Sequence, residues 1–260
     1  MKSPRIGCVK YLNAHPLIRG WSGRVVFDHP SDLCRKLAEG DLEVALVSSF
    51  EFLRNPIYRI VDNVSISSDG PVYSVVVAHR GDISKVQEID LDPASLTSVN
   101  LLCVLRGELG FKWHFGPNRG CKAVASASMS DTKARLLIGD QAIRFRREFG
   151  GDYHFWDLGE QWQKLVGLPF VYALWLIRPE FGESETIARR LRALRDENLA
   201  ELDQLIAEES EFDPQFCSRY YREHIRFSFG EREKQGLRRF AILCAKHGLL
   251  SQGDVGLRVS

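Results

Sequence analysis

The chain has 260 residues, enough for one large domain or for two smaller lobes with a buried core. Its 35 basic and 34 acidic residues give a net charge of +1. That balance excludes the basic field typical of nucleic-acid-binding proteins and a polybasic membrane anchor.

The first third of the chain alternates short apolar runs with helical patterns. Residues 5–9, 25–27 and 43–47 are typical of strands, and the amphipathic segment 33–38 predicts a helix that ends at Gly40. A strand, a helix and a second strand in this order favour a parallel sheet with a right-handed crossover.

The middle of the chain repeats this scheme, and the last part is mostly helical. The pattern predicts a helix over 99–105, a strand over 122–125, and a further apolar segment at 136–139. The run 170–175 is apolar without alternation, which indicates a strand that is buried on both faces.

Two crossovers divide the chain in this scheme, one near Ala78 and one near Phe170. We therefore expect a discontinuous lobe I, made of residues 1–78 and 171–260, and a lobe II, made of residues 79–170. Two lobes joined in this way enclose a cleft with a hinge.

Four turns beside short apolar runs offer small neutral polar groups. They are residues 11–13, Ser48-Ser49, residues 69–74 and residues 137–140. Strand ends that converge in this way line a cleft in open α/β sheets, and ligand pockets favour a few well-placed polar groups. Because Asn and Ser donate well to carboxylates and hydroxyls, we expect a pocket for a small anionic organic molecule.

Other features of the sequence favour a reduced, cofactor-free protein. The six cysteines lie far apart with no Cys-x-x-Cys pair, the seven histidines lack tight ligand spacing, and residues 1–13 lack the apolar run of a signal peptide. The sequence shows neither Gly-x-Gly-x-x-Gly nor a Walker loop. We therefore expect a cytoplasmic protein without metal or cofactor. We interpret the arginines at 144–147 and 189–195 as solvated helix faces.

Four segments within residues 5–176 resemble the chorismate dehydratase family of the futalosine route to menaquinone, in the family's order and at similar spacing. These segments are Gly7-x-Val9-x-Tyr11-Leu12-Asn13-x-x-Pro16-Leu17, Ser68-Asp69-Gly70-Pro71-Val72-Tyr73-Ser74, Leu137-Ile138-Gly139-Asp140, and Asp157-Leu158-Gly159 with Gly167-Leu168-Pro169-Phe170-Val171. The C-terminal helical region carries little of the motif.

The resemblance implies an α/β protein with a two-lobed fold like a type II periplasmic binding protein. Its mixed sheets would be flanked by helices, with the cleft between the lobes. It also implies a hydro-lyase that removes water from chorismate to give 3-[(1-carboxyvinyl)oxy]benzoate. The implied partner is therefore a small-molecule substrate, chorismate, with no nucleic acid and no membrane. The oligomeric state is left open.

The resemblance also implies site residues. The active-site asparagine falls on Asn13 and the active-site serine on Ser74, and the family's Ser/Thr helix start matches Ser95, Thr97 and Ser98. The glycine often found before that helix start is replaced by Pro93-Ala94. We predict six further substrate contacts, at Ser48, Ser49, Gly70, Gly139, Asp140 and Phe170.

Purely structural interpretations stay open at several of these positions. Asn13 could bond its own backbone, Ser74 could face solvent, Ser48 or Ser49 could cap the helix at Phe50, and Ser95 could cap the helix that follows it. Gly70 could serve only to shape the turn, and Asp140 could be a turn or cap residue.

No protein base stands out for the elimination. Aromatisation makes the step strongly downhill, so orientation and electrostatic stabilisation could supply most of the acceleration. The enolpyruvyl carboxylate of the substrate is a candidate proton acceptor, with His15 or Asp69 as alternatives.

Two other functions share the expected fold. One is a non-catalytic binding protein for a small carboxylate, although a periplasmic receptor would need a signal peptide, and a regulator would need a helix-turn-helix before Arg5. The other is the sister enzyme that makes 1,4-dihydroxy-6-naphthoate, which opens with a Cys-Pro-Asn-Asp type of motif that this chain lacks.

Overall fold

A computed structural model describes residues 4–92, 95–116, 130–253 and 255–260. The strand predicted at 122–125 lies outside the described residues, as do Pro93-Ala94 and Cys121.

The described strands form two five-stranded sheets. The strands are β1 (Ile6–Cys8), β2 (Val25–Phe27), β3 (Val44–Ser48), β4 (Arg59–Ser68), β5 (Val75–His79), β6 (Glu88–Asp90), β7 (His114–Gly116), β8 (Lys133–Ile138), β9 (His154–Asp157) and β10 (Phe170–Ile177). The first sheet has the order β2-β1-β3-β10-β4, and the second has the order β7-β6-β8-β5-β9.

Both sheets are mixed. In the first, β1 is parallel to β2 and β3, while β10 lies between β3 and β4 and is antiparallel to both. In the second, β6 is parallel to β7 and β8, and β5 is antiparallel to β8 and β9. The predicted mixed α/β architecture is therefore confirmed, and β2 and β3, which are both parallel to β1, run in the same direction as predicted.

The described helices flank these sheets. They are α1 (His15–Ile18), α2 (Pro30–Glu39), α3 (Ser49–Arg54), α4 (Leu96–Leu109), α5 (Gly139–Phe149), α6 (Leu158–Val166), α7 (Ser184–Ala200), α8 (Leu202–Glu208), α9 (Pro214–Arg219) and α10 (Glu231–Lys246). A 3-10 turn over Leu12–Ala14 follows β1, and a π-helical turn over Tyr220–His224 follows α9.

Local chemistry explains where the predicted elements begin and end. Proline at the first position of α2 suits a helix start, because its missing N–H would be unpaired there. Gly40 ends α2 with a φ of 85°, a left-handed conformation that glycine adopts without a steric cost. β10 is buried along its whole length except at Ala173, which confirms the strand predicted to be covered on both faces.

The chain passes from the first sheet to the second between Ser68 and Val75. It returns to the first sheet between Asp157 and Phe170. The lobe boundaries at residues 78 and 170 stay a prediction.

Two arginines correct the interpretation of the basic segments as solvated helix faces. Arg195 is only 6% exposed, because α7 packs on β4 and the guanidinium donates to the carbonyl oxygens of Asn63 and Phe227 at 2.6 and 2.8 Å. Arg146 is half-buried and lies over the ring of Tyr73. Among the residues that the structure describes, none of the helices combines the length and apolar character of a membrane span.

Candidate active site

A cavity lies where the two sheets face each other, and residues from both line it. Its empty volume, which includes open solvent at the mouth, is about 620 Å³. Seven of the predicted site residues line it: Asn13, Ser48, Ser74, Ser95, Thr97, Ser98 and Gly139. Among the described lining residues there is no Asp, Glu, Lys, Arg or His. The cavity therefore offers uncharged donors in a mostly apolar surround.

Asn13 lies in the 3-10 turn after β1. Its side-chain Oδ1 is shielded from solvent and has no hydrogen-bond partner among the described residues. The turn therefore does not use this oxygen to satisfy its own backbone. A buried polar atom without a partner carries a desolvation cost of about 1–3 kcal/mol. A ligand that donates a hydrogen bond to this oxygen would remove that cost.

Ser74 lies at the entrance to β5 and is fully buried, so it does not face solvent. Its carbonyl oxygen accepts a hydrogen bond from the backbone N–H of Gly139 at 2.7 Å. Its Oγ accepts a hydrogen bond from the hydroxyl of Tyr220, also at 2.7 Å. Both contacts fix Ser74 between segments that are distant in the sequence.

The backbone before Ser74 is strained and is held by a buried carboxylate. Tyr73 has a φ of 67°, which is uncommon for a residue with a side chain. The carboxylate of Asp157 accepts from the N–H groups of Val72 and Tyr73 at 3.0 and 2.8 Å. Burial raises the pKa of Asp157, while the hydrogen bonds from backbone N–H groups oppose the rise.

Arg146 holds the same segment from the other side. Its guanidinium lies 3.9 Å from the centre of the Tyr73 ring and donates to the Tyr73 carbonyl oxygen at 3.0 Å. Burial lowers the pKa of Arg146. The conformation of Tyr73 is thus fixed through its N–H, its carbonyl and its ring.

The first turn of α4 forms the opposite wall. Ser95 caps the helix by accepting from the N–H of Ser98 at 3.2 Å. The hydroxyl of Thr97 lies 2.5 Å from Ser48 Oγ and donates to the carbonyl oxygen of Tyr172 at 3.0 Å. Ser48 uses its hydroxyl in this contact and does not cap α3. The positive end of the α4 dipole therefore faces the cavity, a position that favours an anion.

Gly139, at the start of α5, allows close contact with an aromatic wall. A Cβ at this position would lie 3.0 Å from the ring of Tyr11, which also lines the cavity. The φ of Gly139 is 55°, so a side chain there would be strained as well as crowded.

Two other predicted contact residues lie in the wall behind the cavity. Ser49 donates its hydroxyl to the carbonyl oxygen of Val171 at 2.7 Å and is fully buried. Phe170 packs its ring against Trp162 and Phe240, with centroid distances of 5.1 and 4.9 Å. Because these contacts turn both side chains into the core, neither lines the cavity.

Gly70 and Asp140 also lie off the cavity. The carbonyl oxygen of Gly70 accepts from Ser68 Oγ at 3.1 Å, which shapes the turn before Ser74. The carboxylate of Asp140 accepts from the backbone N–H of Leu12 at 2.9 Å, next to Asn13. Burial raises the pKa of Asp140 to about 6. Both residues support the site without lining the cavity.

Sequence reasoning did not identify three tyrosines at this site. Tyr172 lines the cavity, and its hydroxyl lies 3.1 Å from Ser68 Oγ. Tyr220 contacts Ser74, and Tyr221 donates to the carbonyl oxygen of Leu12 at 2.9 Å. The spacing of Phe216 and Tyr220 indicates a packed helix face, but no motif connects that face with the strand ends.

The match of this chain to a protein-family model identifies its family. A family model described as menaquinone biosynthesis matches residues 4–246. The chain belongs to this family. The resemblance predicted from the four segments is therefore confirmed.

Individual proteins similar to this chain are consistent with its membership of the menaquinone biosynthesis family. A relative from Thermus thermophilus, named chorismate dehydratase, is 28% identical over 257 residues, which cover 91% of this chain and 93% of the relative. A crystal structure of an Archaeoglobus fulgidus protein covers 95% of this chain and 98% of its own, with a TM-score of 0.69 and 18% identity. The periplasmic aliphatic sulphonate binding protein of Escherichia coli covers 96% of this chain and 89% of its own, with a TM-score of 0.64 and 12% identity. The predicted periplasmic-binding-protein-like fold is confirmed.

The two alternative bases considered from the sequence, His15 and Asp69, do not line the cavity. His15 Nδ1 lies 3.4 Å from Glu209 in a separate surface cavity, and burial lowers its pKa. Asp69 forms an ion pair with Arg232 at 2.7 Å. Within the described ranges, no group of three or more His, Cys, Asp or Glu side chains is arranged to hold a metal ion.

Proposed function

We propose that the protein is a chorismate dehydratase, which eliminates water from chorismate to give 3-[(1-carboxyvinyl)oxy]benzoate. Membership of the menaquinone biosynthesis family and the Thermus relative support this reaction. The observation that carries the proposal is that Asn13, Ser74 and the first turn of α4 face one cavity, in which no described lining residue is Asp, Glu, Lys, Arg or His.

Binding uses the two carboxylates of chorismate. One lies against the first turn of α4, where Ser95 and Ser98 offer hydroxyl donors, Thr97 lines the same wall, and the helix dipole favours negative charge. Neutral donors suit this task because they orient the carboxylate without neutralising it. The second carboxylate, on the enolpyruvyl group, stays basic in the apolar surround.

The elimination breaks a ring C–H bond and the bond from the ring to its hydroxyl. The enolpyruvyl carboxylate takes the ring proton, and the electron pair delocalises onto the ring carboxylate as an enolate. Asn13 and Ser74 donate hydrogen bonds to the oxygens that gain charge. The hydroxyl then leaves, the ring becomes aromatic, and the proton and hydroxide depart together as water. Aligned donors supply the acceleration.

We place this reaction in the cytoplasm. The five described cysteines, Cys8, Cys34, Cys103, Cys217 and Cys244, are free thiols. Free thiols are typical of proteins in a reducing compartment.

The test is to incubate purified, metal-stripped protein with chorismate and to search by mass spectrometry for a product lighter by one water. The expected product co-elutes with authentic 3-[(1-carboxyvinyl)oxy]benzoate. Unchanged chorismate together with a raised Tm would instead favour a binding protein for small carboxylates. Conversion of only the sister enzyme's substrate to 1,4-dihydroxy-6-naphthoate would favour that enzyme.

Alanine at the two central positions tests their roles. Asn13→Ala and Ser74→Ala should each lower kcat by about 10²–10³-fold, because each removes a donor aimed at developing charge. The matched control is Ser65→Ala, which removes a buried serine that donates to the Ser228 carbonyl away from the cavity. Ser65→Ala should keep kcat while it lowers stability by about 1 kcal/mol. Full activity in both site variants would contradict the assignment.

A further inference from the structure

Tyr220 provides a buried hydrogen bond to the candidate catalytic serine. Its side chain is fully buried, and its hydroxyl donates to Ser74 Oγ at 2.7 Å. Its ring stacks on that of Phe216, with a centroid distance of 5.6 Å and an interplanar angle of 18°. The tyrosine is therefore held rigidly and approaches Ser74 from a fixed direction.

The direction of this hydrogen bond decides which way Ser74 can donate. A serine hydroxyl has one proton to donate and two lone pairs that accept. Because Tyr220 occupies a lone pair of Ser74, the serine proton must point elsewhere. Ser74 lines the cavity, so the cavity is the side on which a substrate oxygen can accept that proton.

We propose that Tyr220 is a positioning residue that fixes Ser74 as a hydrogen-bond donor toward the cavity. The proposal rests on the proposed dehydration, because it gives Ser74 the role of donor to a substrate oxygen that gains negative charge. Tyr220 itself is behind Ser74 and acts through it.

The surroundings of Tyr220 keep its own proton in place. Burial raises the pKa of its phenol well above the usual value, while hydrogen bonds with Ser74 and Asn13 oppose the rise. The phenol is therefore neutral throughout the range in which a protein works. A neutral phenol in this position donates to Ser74 and does not accept the substrate proton.

The π-helical turn places this tyrosine. Tyr220 and Tyr221 are adjacent and both are buried. Tyr221 donates to the carbonyl oxygen of Leu12, the residue before Asn13. One turn thus contacts both segments that carry the proposed catalytic side chains. Such π-helical insertions occur often at functional sites.

The test is Tyr220→Phe, which removes one hydroxyl and keeps the ring. We expect kcat for chorismate to fall about 10-fold to 100-fold, because Ser74 loses its fixed orientation. KM should change by less than about threefold, because the carboxylate contacts at α4 are untouched. The matched control is Tyr58→Phe, a fully buried tyrosine that does not line the cavity, and it should keep the wild-type kcat.

The double variant Tyr220→Phe/Ser74→Ala separates an effect through Ser74 from a general structural effect. If Tyr220 acts through Ser74, the double variant is no slower than Ser74→Ala alone. Three results would each overturn the role of Tyr220 and leave the dehydratase proposal intact. The first is a double variant whose loss of kcat is the product of the two single losses. The others are a Tyr220→Phe variant with a changed KM and an unchanged kcat, and a Tyr220→Phe variant with the wild-type kcat. No conversion of chorismate by the wild-type protein would overturn both.

Discussion

At the scale of single residues, a strained tyrosine that does not line the cavity precedes Ser74. Tyr73 adopts the left-handed conformation just before Ser74. Such a conformation costs about 1–3 kcal/mol and persists only where its surroundings enforce it. Asp157 and Arg146 do so, through backbone hydrogen bonds and a guanidinium on the ring. The position of Ser74 is therefore set by residues of β9 and α5.

Asp157→Asn tests this support. One carboxylate oxygen, Oδ1, accepts from Val72 and from Glu160, whereas Oδ2 accepts from Tyr73. An amide can replace Oδ1, but its NH₂ group would then face the N–H of Tyr73. We expect a loss of about 1–3 kcal/mol in the free energy of unfolding and a lower kcat, measured by denaturant titration and by product formation.

The control for Asp157→Asn is Asp82→Asn. Asp82 also accepts from a backbone N–H, that of Ser84, but lies on the surface away from the cavity. Its replacement should leave kcat unchanged. An unchanged kcat in Asp157→Asn as well would show that Tyr73 keeps its conformation without the carboxylate.

At the scale of secondary-structure elements, α5 is tied to the turn that carries Asn13. Asp140, in the first turn of α5, accepts from the N–H of Leu12. Burial raises the pKa of this carboxyl to about 6, against the smaller opposing effects of the Leu12 N–H and of Arg144. The contact between α5 and the turn that carries Asn13 is therefore sensitive to pH.

The raised pKa predicts the sign of a pH effect on stability. The folded protein keeps the Asp140 proton to about pH 6, whereas an unfolded chain loses it near pH 4. The stability contributed by the bound proton is therefore lost as the pH rises from about 4 to about 6. Asp140→Asn cannot titrate, so its stability relative to wild type should rise over that range, by at most about 3 kcal/mol.

Unfolding titrations from about pH 2 to about pH 8 measure this difference. Asp82→Asn supplies a control of opposite sign, because hydrogen bonds that its carboxylate accepts from Ser84 lower the pKa of Asp82. The free energy of unfolding of Asp82→Asn, relative to wild type, should fall as the pH rises from the lowered pKa of Asp82 in the folded protein to its value in the unfolded chain. A flat difference curve for Asp140→Asn would contradict a buried, titrating Asp140.

Local signals made many of these elements predictable. Gly40 marks the end of α2, and the unbroken apolar run of β10 marks a strand inside a sheet. The buried role of Arg195 was not predictable, because its carbonyl partners at Asn63 and Phe227 lie far from it in the sequence.

The candidate site was predictable only in part. Asn13 and Ser74 stand in motifs, so the sequence indicated both, and the structure brings both to one cavity. Asp140 was predicted to contact substrate because it follows a strand, but its partner is the backbone of Leu12, 128 residues away. Tyr220 carries no local sign of its contact with Ser74, 146 residues away.

At the scale of the whole molecule, side chains that are distant in the sequence make contact in and near the cavity. Thr97 on α4 contacts Ser48 at the end of β3, and Arg144 on α5 forms an ion pair with Glu211. Ser74 is fully buried and Thr97 is only 3% exposed. We predict that a substrate the size of chorismate enters when the contact between Thr97 and Ser48 separates.

A disulfide between positions 48 and 97, which both line the cavity, tests this opening. The hydroxyls of Ser48 and Thr97 are 2.5 Å apart, so cysteines at both positions are close enough to bond. The oxidised double variant Ser48→Cys/Thr97→Cys should turn over chorismate at less than about a tenth of the rate of its reduced form. Wild type treated with the same oxidant is the control. Equal rates in both redox states would show that entry needs no separation here.

The place of β10 also sets the order in which the molecule can be assembled. The described strands of the second sheet all come from residues 75–157, whereas the first sheet has β10, residues 170–177, between β3 and β4. On a ribosome, β3 and β4 are therefore made long before the strand that joins them. The last contacts of the first sheet close long loops, which makes them slow to form. The catalytic cleft is thus completed only after the strand that re-enters the first sheet has been synthesised.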